Sequence, residues 1–228
     1  METPLASLPP DDGLRSQVEA AISVLMDGGV IAVPTDTLYG LAASAFDEAA
    51  VDRLFRIKGR PKSMALPLLL ADPADMTAYA VDSPEVALRL AETFFPGPLT
   101  LVLRKGSNVP DVVTGGAPTV AVRVPDHWVP RAVVRGLGAP ITGTSANRTG
   151  MPGLTTAEAV RQQLGDEIDY VVDGGRCPLG TPSTVLDVTG PAPIIVREGA
   201  VSRRRIEEIC GQSVLVGRNA AGHRAEGS

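Results

Sequence analysis

Short apolar runs and stretches of helical periodicity follow one another along most of the chain. Apolar side chains at helical spacing predict helices over residues 16–27, 47–58, 83–94, 155–164 and 202–209. The predicted N-caps are Asp47, Ser83, Thr155 or Thr156, and Ser202. Runs that are wholly or mostly apolar predict strands over residues 30–33, 66–70, 99–103, 120–124 and 170–172, and around Ile141. Residues 184–188 and 194–197 predict a hairpin.

The order of these elements predicts a single α/β domain with a twisted mixed sheet. Strands and helices alternate without strict βαβ regularity, and the last predicted strands lie close together in sequence. We assign residues 1–13 to a flexible lead, 14–217 to the domain and 218–228 to a flexible polar tail. Residues 105–118 are rich in Gly, Pro and polar side chains, and they predict a long surface loop that could close over a site.

Composition and charge narrow the class of function. An apolar content of 44% with 21% charged residues is typical of soluble globular proteins. The net charge of −5 argues against a protein that coats nucleic acid, although it leaves room for a local basic pocket. Residues 1–15 lack the pattern of a secretory signal, and the longest apolar run, residues 65–71, is too short to cross a bilayer. We therefore expect a cytoplasmic protein with no membrane segment.

The cysteines and histidines do not form a ligand pattern. Cys177 and Cys210 lie in no C-x-x-C motif, so we interpret them as packing residues and expect no protein-ligated metal. A magnesium ion carried in by a nucleotide would leave no such pattern, because it binds mainly water and phosphate. His127 and His223 offer no credible Ser-His-Asp order, and we assign His127 a capping or packing role. Catalysis would then depend on positioning and charge stabilisation.

Lys58 and Arg60 are candidates for binding an anion. The sequence has no G-x-x-x-x-G-K-[ST] motif and no G-x-G-x-x-G after a strand, so ATP would have to be bound by side-chain cations. Both cations lie where Gly59 and Pro61 end a predicted helix, and Arg can make a two-pronged contact with phosphate. The alternative is a solvated helix end, where Lys is favoured by the helix dipole.

Hydroxyl and amide side chains cluster in loops that follow predicted strands. Ser145 and Asn147 could donate to phosphate or ribose oxygens, and Thr37 could bind a small polar substrate. Ser183 is a further hydroxyl at the start of a predicted strand. Ordinary turn chemistry is the alternative, since Ser, Thr and Asn favour loops for local reasons.

Arg123 and Arg197 each lie in or at the end of an apolar run. Arg123 could point into a cleft and bind a carboxylate, or it could face solvent from the predicted strand. Arg197 presents the same choice, and an ion pair with Glu198 is its alternative.

Seven short motifs occur in the order seen in the YrdC-like threonylcarbamoyl-AMP synthases, which the chain resembles from residue 30 to residue 199. Each motif is weak alone, but their order makes an accidental match improbable. They are Pro34-Thr35-Asp36-Thr37-Leu38-Tyr39-Gly40-Leu41, Lys58-Gly59-Arg60-Pro61, Pro96-Gly97-Pro98-Leu99-Thr100, Val120-Ala121-Val122-Arg123-Val124-Pro125, Thr144-Ser145-Ala146-Asn147, Ser183-Thr184-Val185 and Arg197-Glu198-Gly199.

The resemblance implies a fold, a reaction and a set of site residues. The implied fold is a twisted mixed sheet with surrounding helices and a concave cleft. The implied reaction joins L-threonine, bicarbonate and ATP into threonylcarbamoyl-AMP and pyrophosphate, with Mg²⁺ accompanying the nucleotide, and other proteins use the product to modify tRNA. By position, Lys58 and Arg60 match catalytic residues; Arg60, Thr119, Ser145, Asn147 and Arg197 match nucleotide contacts; and Thr37, Arg123 and Ser183 match threonine contacts.

The chain resembles the short, single-domain form of that family and not the long forms, which carry an extra C-terminal domain. It also departs from many members near the threonine, and it leaves a second function open. Many synthases carry a His near the threonine where this chain has Leu69 and Leu70, so the threonine end is expected to differ. The alternative function is a non-catalytic paralogue of the same fold that binds nucleotide, or RNA weakly, on the concave surface. That alternative predicts RNA affinity that falls steeply with salt and no release of pyrophosphate.

Overall fold

The computed structural model describes residues 11–217. The predicted tail and residues 1–10 of the predicted lead lie outside that range. The rest of the predicted lead, residues 11–13, belongs to the first helix, because Asp11 caps it through a hydrogen bond from the Leu14 amide.

The helices begin and end close to where the periodicity predicts. Asp47, Thr156 and Ser202 accept hydrogen bonds as N-caps. The α-helices are α1 Asp12–Met26, α2 Glu48–Lys58, α3 Met76–Tyr79, α4 Glu85–Phe94, α5 Asp111–Thr114, α6 Trp128–Leu137, α7 Ala157–Leu164 and α8 Arg203–Cys210, and single turns of 3-10 helix occupy Pro73–Asp75 and Gly165–Glu167.

The strands form two sheets that both contain parallel and antiparallel pairs. The strands are β1 Ile31–Val33, β2 Gly40–Ala42, β3 Leu68–Leu69, β4 Ala80–Val81, β5 Leu99–Lys105, β6 Thr119–Arg123, β7 Ile141–Thr142, β8 Thr144–Ser145, β9 Tyr170–Val171, β10 Thr184–Asp187, β11 Ile194–Arg197 and β12 Leu215–Val216. The small sheet has the order β8-β2-β1-β9, and the large sheet has the order β12-β11-β10-β5-β6-β3-β7, with β4 beside β5.

The two faces of the large sheet have different surroundings. Leu101, Val122 and Leu186 lie on one face within the main apolar core, together with helices α2, α4 and α8. On the other face, Leu69 and Ile141 pack in a second core with α1 and α6. On the same face, β6, β5 and β11 carry the polar or charged side chains of Arg123, Thr100 and Arg197. The candidate site lies on this part of the sheet.

Two predictions made from the sequence need correction, and several elements of the structure were not predicted. Helix α6 was not predicted, and neither was strand β2, which continues from the polar loop after β1. Ser83 does not cap α4; Pro84 occupies the N-cap position, and the Ser83 hydroxyl is buried without a hydrogen-bond partner in the described part of the chain. The predicted loop at residues 105–118 contains α5 and buries Val113, so it is not a simple surface loop.

Candidate active site

A row of side chains crosses four neighbouring strands of the large sheet on its polar face. The register pairs Arg197 with Val185 and Val185 with Thr100, and the pairing between β5 and β6 continues to Arg123. Side chains that are directly opposite each other in a sheet point to the same face. Thr119 lies on this face too, because it precedes Arg123 by an even number of residues in β6.

Arg123 is buried in a network that joins three segments. Its Nε donates to the Gly97 carbonyl at 3.0 Å, Nη1 donates to Thr37 Oγ1 at 3.0 Å, and Nη2 donates to Asp36 Oδ1 at 2.5 Å. Burial lowers the pKa of Arg123, and the charge of Asp36 opposes that shift. Of the two orientations that the sequence left open, the structure shows the buried one, and the partner of Arg123 is a carboxylate of the chain itself.

Ser183 connects two members of this row, Thr100 and Arg197, through hydrogen bonds. The Ser183 and Thr100 hydroxyls are 2.9 Å apart, and Arg197 Nη2 donates to the Ser183 carbonyl at 2.8 Å and to its hydroxyl at 3.1 Å. Arg197 is an exposed residue overall, but burial of its guanidinium and the fields of Arg123 and Arg60 lower its pKa. The donations of Arg197 therefore go to Ser183 rather than to Glu198, the alternative partner in the sequence.

Lys58 lies in the last turn of α2 and joins that helix to the Ser/Asn loop. Gly59 ends the helix in the left-handed conformation, with φ of 60°. The Lys58 side chain is 4% exposed, and its Nζ donates to the Ser145 carbonyl and, at 2.7 Å, to the Asn147 carbonyl. Burial, and the charge of Arg60, lower the pKa of Lys58 to about 8. Lys58 is therefore not the solvated helix end that the sequence left open.

Arg60 is held by the turn that follows it. Its Nη2 donates to the Ala65 carbonyl at 2.9 Å, and its Nε donates to the Met64 carbonyl at 3.3 Å. Its charge acts on both Lys58 and Arg197. Residues that are distant in sequence therefore bring their positive charges within electrostatic reach of one another.

The Ser/Asn loop leaves one polar atom without a partner. Ser145 lies in β8 opposite Gly40. The Asn147 amide nitrogen donates to the Met151 carbonyl at 2.5 Å and to the Arg148 carbonyl at 3.0 Å. Its Oδ1 is buried and accepts no hydrogen bond from residues 11–217. Such an orphaned acceptor is a position that a ligand donor can fill.

The loop between β1 and β2 carries Thr37 and is held by hydrogen bonds within the loop and to residues 173–182. The Thr35 and Thr37 hydroxyls are 2.9 Å apart, and Thr35 also donates to the Leu38 carbonyl at 2.7 Å. The Gly180 amide donates to the Thr37 carbonyl at 3.0 Å, which docks the loop of residues 173–182. The buried Tyr39 hydroxyl donates to the Gly175 carbonyl at 2.9 Å and holds the same loop.

Two residues near this network, Asp36 and Tyr39, had no assigned role in the sequence. Asp36 pairs with Arg123, and its charge acts on His127 and on Cys177. Burial is the main cause that lowers the pKa of His127 to about 4 and raises the pKa of Cys177 to about 11. His127 caps α6, as one of its two predicted roles required, and Tyr39 anchors a loop. The sequence signal that could have identified Asp36 is its position between two Thr, directly after a buried strand.

The described residues contain neither a cluster of metal ligands nor a helix that could span a membrane. Within residues 11–217, no group of three or more His, Cys, Asp or Glu side chains is placed to hold a metal ion. No helix in the same range combines the length and the apolar character needed to cross a bilayer.

The arrangement brings the cationic side chains of Arg123 and Arg197 together on one face of a mixed sheet in an α/β domain, with Arg60 within electrostatic reach. The family model described as Telomere recombination, and named for Sua5, YciO and YrdC, matches residues 23–199. The chain belongs to the Sua5/YciO/YrdC family.

Relatives of this chain include proteins named threonylcarbamoyl-AMP synthase. One from Pyrococcus abyssi is 40% identical and covers 86% of this chain, and one from Bacillus subtilis is 38% identical and covers 86%. The chain spans 58% and 57% of the lengths of those two relatives.

A solved structure confirms the predicted fold class. The crystal structure of P. abyssi Sua5 complexed with L-threonine matches with a TM-score of 0.87 and 37% identity. The match covers 92% of this chain and 62% of the other.

Proposed function

We propose that this protein is an L-threonylcarbamoyladenylate synthase, a nucleotidyltransferase that forms threonylcarbamoyl-AMP and pyrophosphate from L-threonine, bicarbonate and ATP. The main support is the approach of Lys58 to Ser145 and Asn147, with Arg60 and Arg197 within electrostatic reach. The names of the relatives and the threonine bound to P. abyssi Sua5 favour the same reaction.

The proposed site has a nucleotide end and an amino-acid end. At the nucleotide end, Lys58, Arg60, Arg197, Ser145 and Asn147 would bind the phosphates and ribose, and Thr119 would contact the nucleotide from the start of β6. Mg²⁺ would arrive with ATP and bind its phosphate oxygens. At the amino-acid end, Arg123, Thr37 and Ser183 would bind L-threonine. Arg123 donates to Thr37, and it lies within electrostatic reach of Arg197, which donates to Ser183.

The reaction needs no nucleophile from the protein. The threonine amine attacks the carbon of CO2 derived from bicarbonate and loses a proton, which gives a carbamate. A carbamate oxygen then attacks the α-phosphorus of ATP, and the bond from that phosphorus to the bridging oxygen breaks as pyrophosphate leaves with the electron pair. Fixed cations stabilise the charge that develops on phosphorus, and they are most effective where water is partly excluded. The burial of Lys58 meets that requirement.

The product would pass to other proteins that modify the adenosine beside the tRNA anticodon. We propose that the protein works in the cytoplasm, where ATP and tRNA are available.

Release of pyrophosphate with each substrate omitted in turn tests this proposal. We expect full release only when L-threonine, bicarbonate and ATP are all present. RNA binding that weakens steeply with salt, with no release of pyrophosphate, would instead support the non-catalytic alternative.

A further inference from the structure

The two oxygens of the Asp36 carboxylate are in different situations. Oδ1 accepts from Arg123 Nη2 at 2.5 Å. Oδ2 is buried and accepts no hydrogen bond within residues 11–217. The residue is only 4% exposed, so bulk water does not solvate this oxygen freely. A buried charged acceptor without a donor is costly, and a ligand donor would remove that cost.

Three groups lie near Asp36, and none of them donates a hydrogen bond to its Oδ2. The Leu179 amide donates to the backbone carbonyl of Asp36 at 3.1 Å. The charge of Asp36 affects the pKa of His127. The His127 Nδ1 accepts from the Val129 amide, which leaves Nε2–H as its donor, and that donor makes no hydrogen bond to Oδ2. Burial and, to a smaller extent, the charge of Asp36 raise the pKa of Cys177 to about 11. Cys177 is therefore a neutral thiol, which is a weak donor.

Arg123 supplies the complementary half of a recognition site. Its contacts to Gly97, Thr37 and Asp36 use only part of the N–H groups of a guanidinium. A cation with spare donors therefore lies beside a carboxylate with a spare acceptor. The carboxylate and amino groups on one carbon of an α-amino acid match that pair in charge, the carboxylate for Arg123 and the amine for Asp36.

We propose that Asp36 Oδ2 accepts a hydrogen bond from the α-amino group of the amino-acid substrate while Arg123 binds the substrate carboxylate. The inference rests on the proposed function and adds a residue that selects amino acids over acids without an amine. An N–H remains on the nitrogen after the amine loses a proton and after the carbamate forms, so the same contact orients the nitrogen throughout.

Binding measured by calorimetry without ATP tests the proposal. The ligands are L-threonine and (R)-3-hydroxybutanoate, in which hydrogen replaces the amine. We expect the wild-type protein to bind L-threonine about 10- to 100-fold more tightly, the range for one hydrogen bond to a charged group. In Asp36→Asn the amide can still accept from Arg123, but it presents a donor where Oδ2 lies. That variant should bind both ligands equally within about threefold.

Asp52→Asn is the matched control. Asp52 also has one oxygen on a cation, Lys62 at 2.7 Å, and a second oxygen that is buried without a partner in the described range. It lies on α2, and its carboxylate is not part of the Arg123 network. Asp52→Asn should keep the wild-type preference for L-threonine.

Two results of the comparison between L-threonine and (R)-3-hydroxybutanoate would overturn the inference. One is an Asp36→Asn variant that keeps the wild-type preference for the amine, and the other is a wild-type protein that binds the two ligands equally. The second comparison needs no variant, so it stands even if Asp36→Asn fails to fold, which circular dichroism would reveal. Normal pyrophosphate release in Asp36→Asn with unchanged threonine affinity would reject the role of Asp36 and leave the proposed function intact.

Discussion

The Lys58 ammonium donates to the Asn147 carbonyl at 2.7 Å, which ties the end of α2 to the loop after β8. The two residues are 89 positions apart in sequence. A second donation from the same nitrogen reaches the Ser145 carbonyl. An ammonium has one more N–H after these two contacts, and that donor is available to a phosphate oxygen. Lys58 therefore both shapes the loop and supplies charge.

Replacing Lys58 by Met should reduce turnover far more than stability. We expect kcat/KM for ATP to fall by roughly 100-fold or more, as when one transition-state donor is removed. The free energy of unfolding should fall by about 1–3 kcal/mol, because the Ser145 and Asn147 carbonyls lose their donor. Pyrophosphate release and urea unfolding measure the two effects. Lys62→Met, which changes an exposed Lys of the next turn, should stay within about twofold of wild type.

The depressed pKa of Lys58 predicts a falling limb in the pH profile. Lys58 loses its proton as the pH rises through about 8, so the cation that we propose to bind phosphate is lost above that value. We expect kcat/KM for ATP to decline above that pH. Lys58→Arg keeps its charge across the range, and its profile should lack the limb whatever its absolute rate. A limb of the same position in that variant would assign the titration to another group.

His127 predicts a loss of stability in mild acid. Its pKa is lowered from 6.5 to about 4, so the unfolded chain binds the proton first as the pH falls. The contribution of neutral His127 to the free energy of unfolding is complete above pH 6.5 and is lost progressively down to about pH 4. We expect a decrease of about 2–3 kcal/mol in the free energy of unfolding over that window. His127→Asn keeps a capping side chain and should remove this part of the pH dependence, measured as the difference between the two proteins.

Gly199 is predicted to tolerate no side chain. A Cβ there would lie 2.3 Å from the Pro182 carbonyl oxygen and 2.5 Å from the Ser183 carbonyl carbon. Gly199→Ala should push the chain away from Ser183, lower the free energy of unfolding by about 1–3 kcal/mol and raise KM for L-threonine by about threefold or more. In Gly190→Ala the nearest atom is 3.9 Å away, so that control should behave as wild type. Equal behaviour of the two variants would contradict the close packing.

The elements with strong periodicity were predictable from the sequence, and those with unusual caps or long-range pairing were not. Helix α6 was missed because Pro130 lies inside it and its N-cap is His127, which is outside the usual set of capping residues. Pro is tolerated in a first turn, where its missing N–H has no helical partner. The separate small sheet depends on pairing Ile31 with Tyr170, and no local pattern indicates a contact over that separation.

The cations of the candidate site were easier to predict than Asp36, the carboxylate that pairs with Arg123. Lys58 and Arg123 attract attention because a charge inside an apolar pattern needs a partner. Asp36 lies among hydroxyls, where a carboxylate suits an ordinary loop, so its pairing with Arg123 became visible only in the fold. The roles given to the individual site residues remain predictions.

Mass spectrometry of the nucleotide product formed with ¹³C-bicarbonate tests the proposed reaction most directly. The account predicts a threonine-containing adenylate that carries the label, together with an equal amount of pyrophosphate, and a large loss of both in Lys58→Met. Pyrophosphate formed without incorporation of the label, or no adenylate under conditions where the protein is folded, would contradict it.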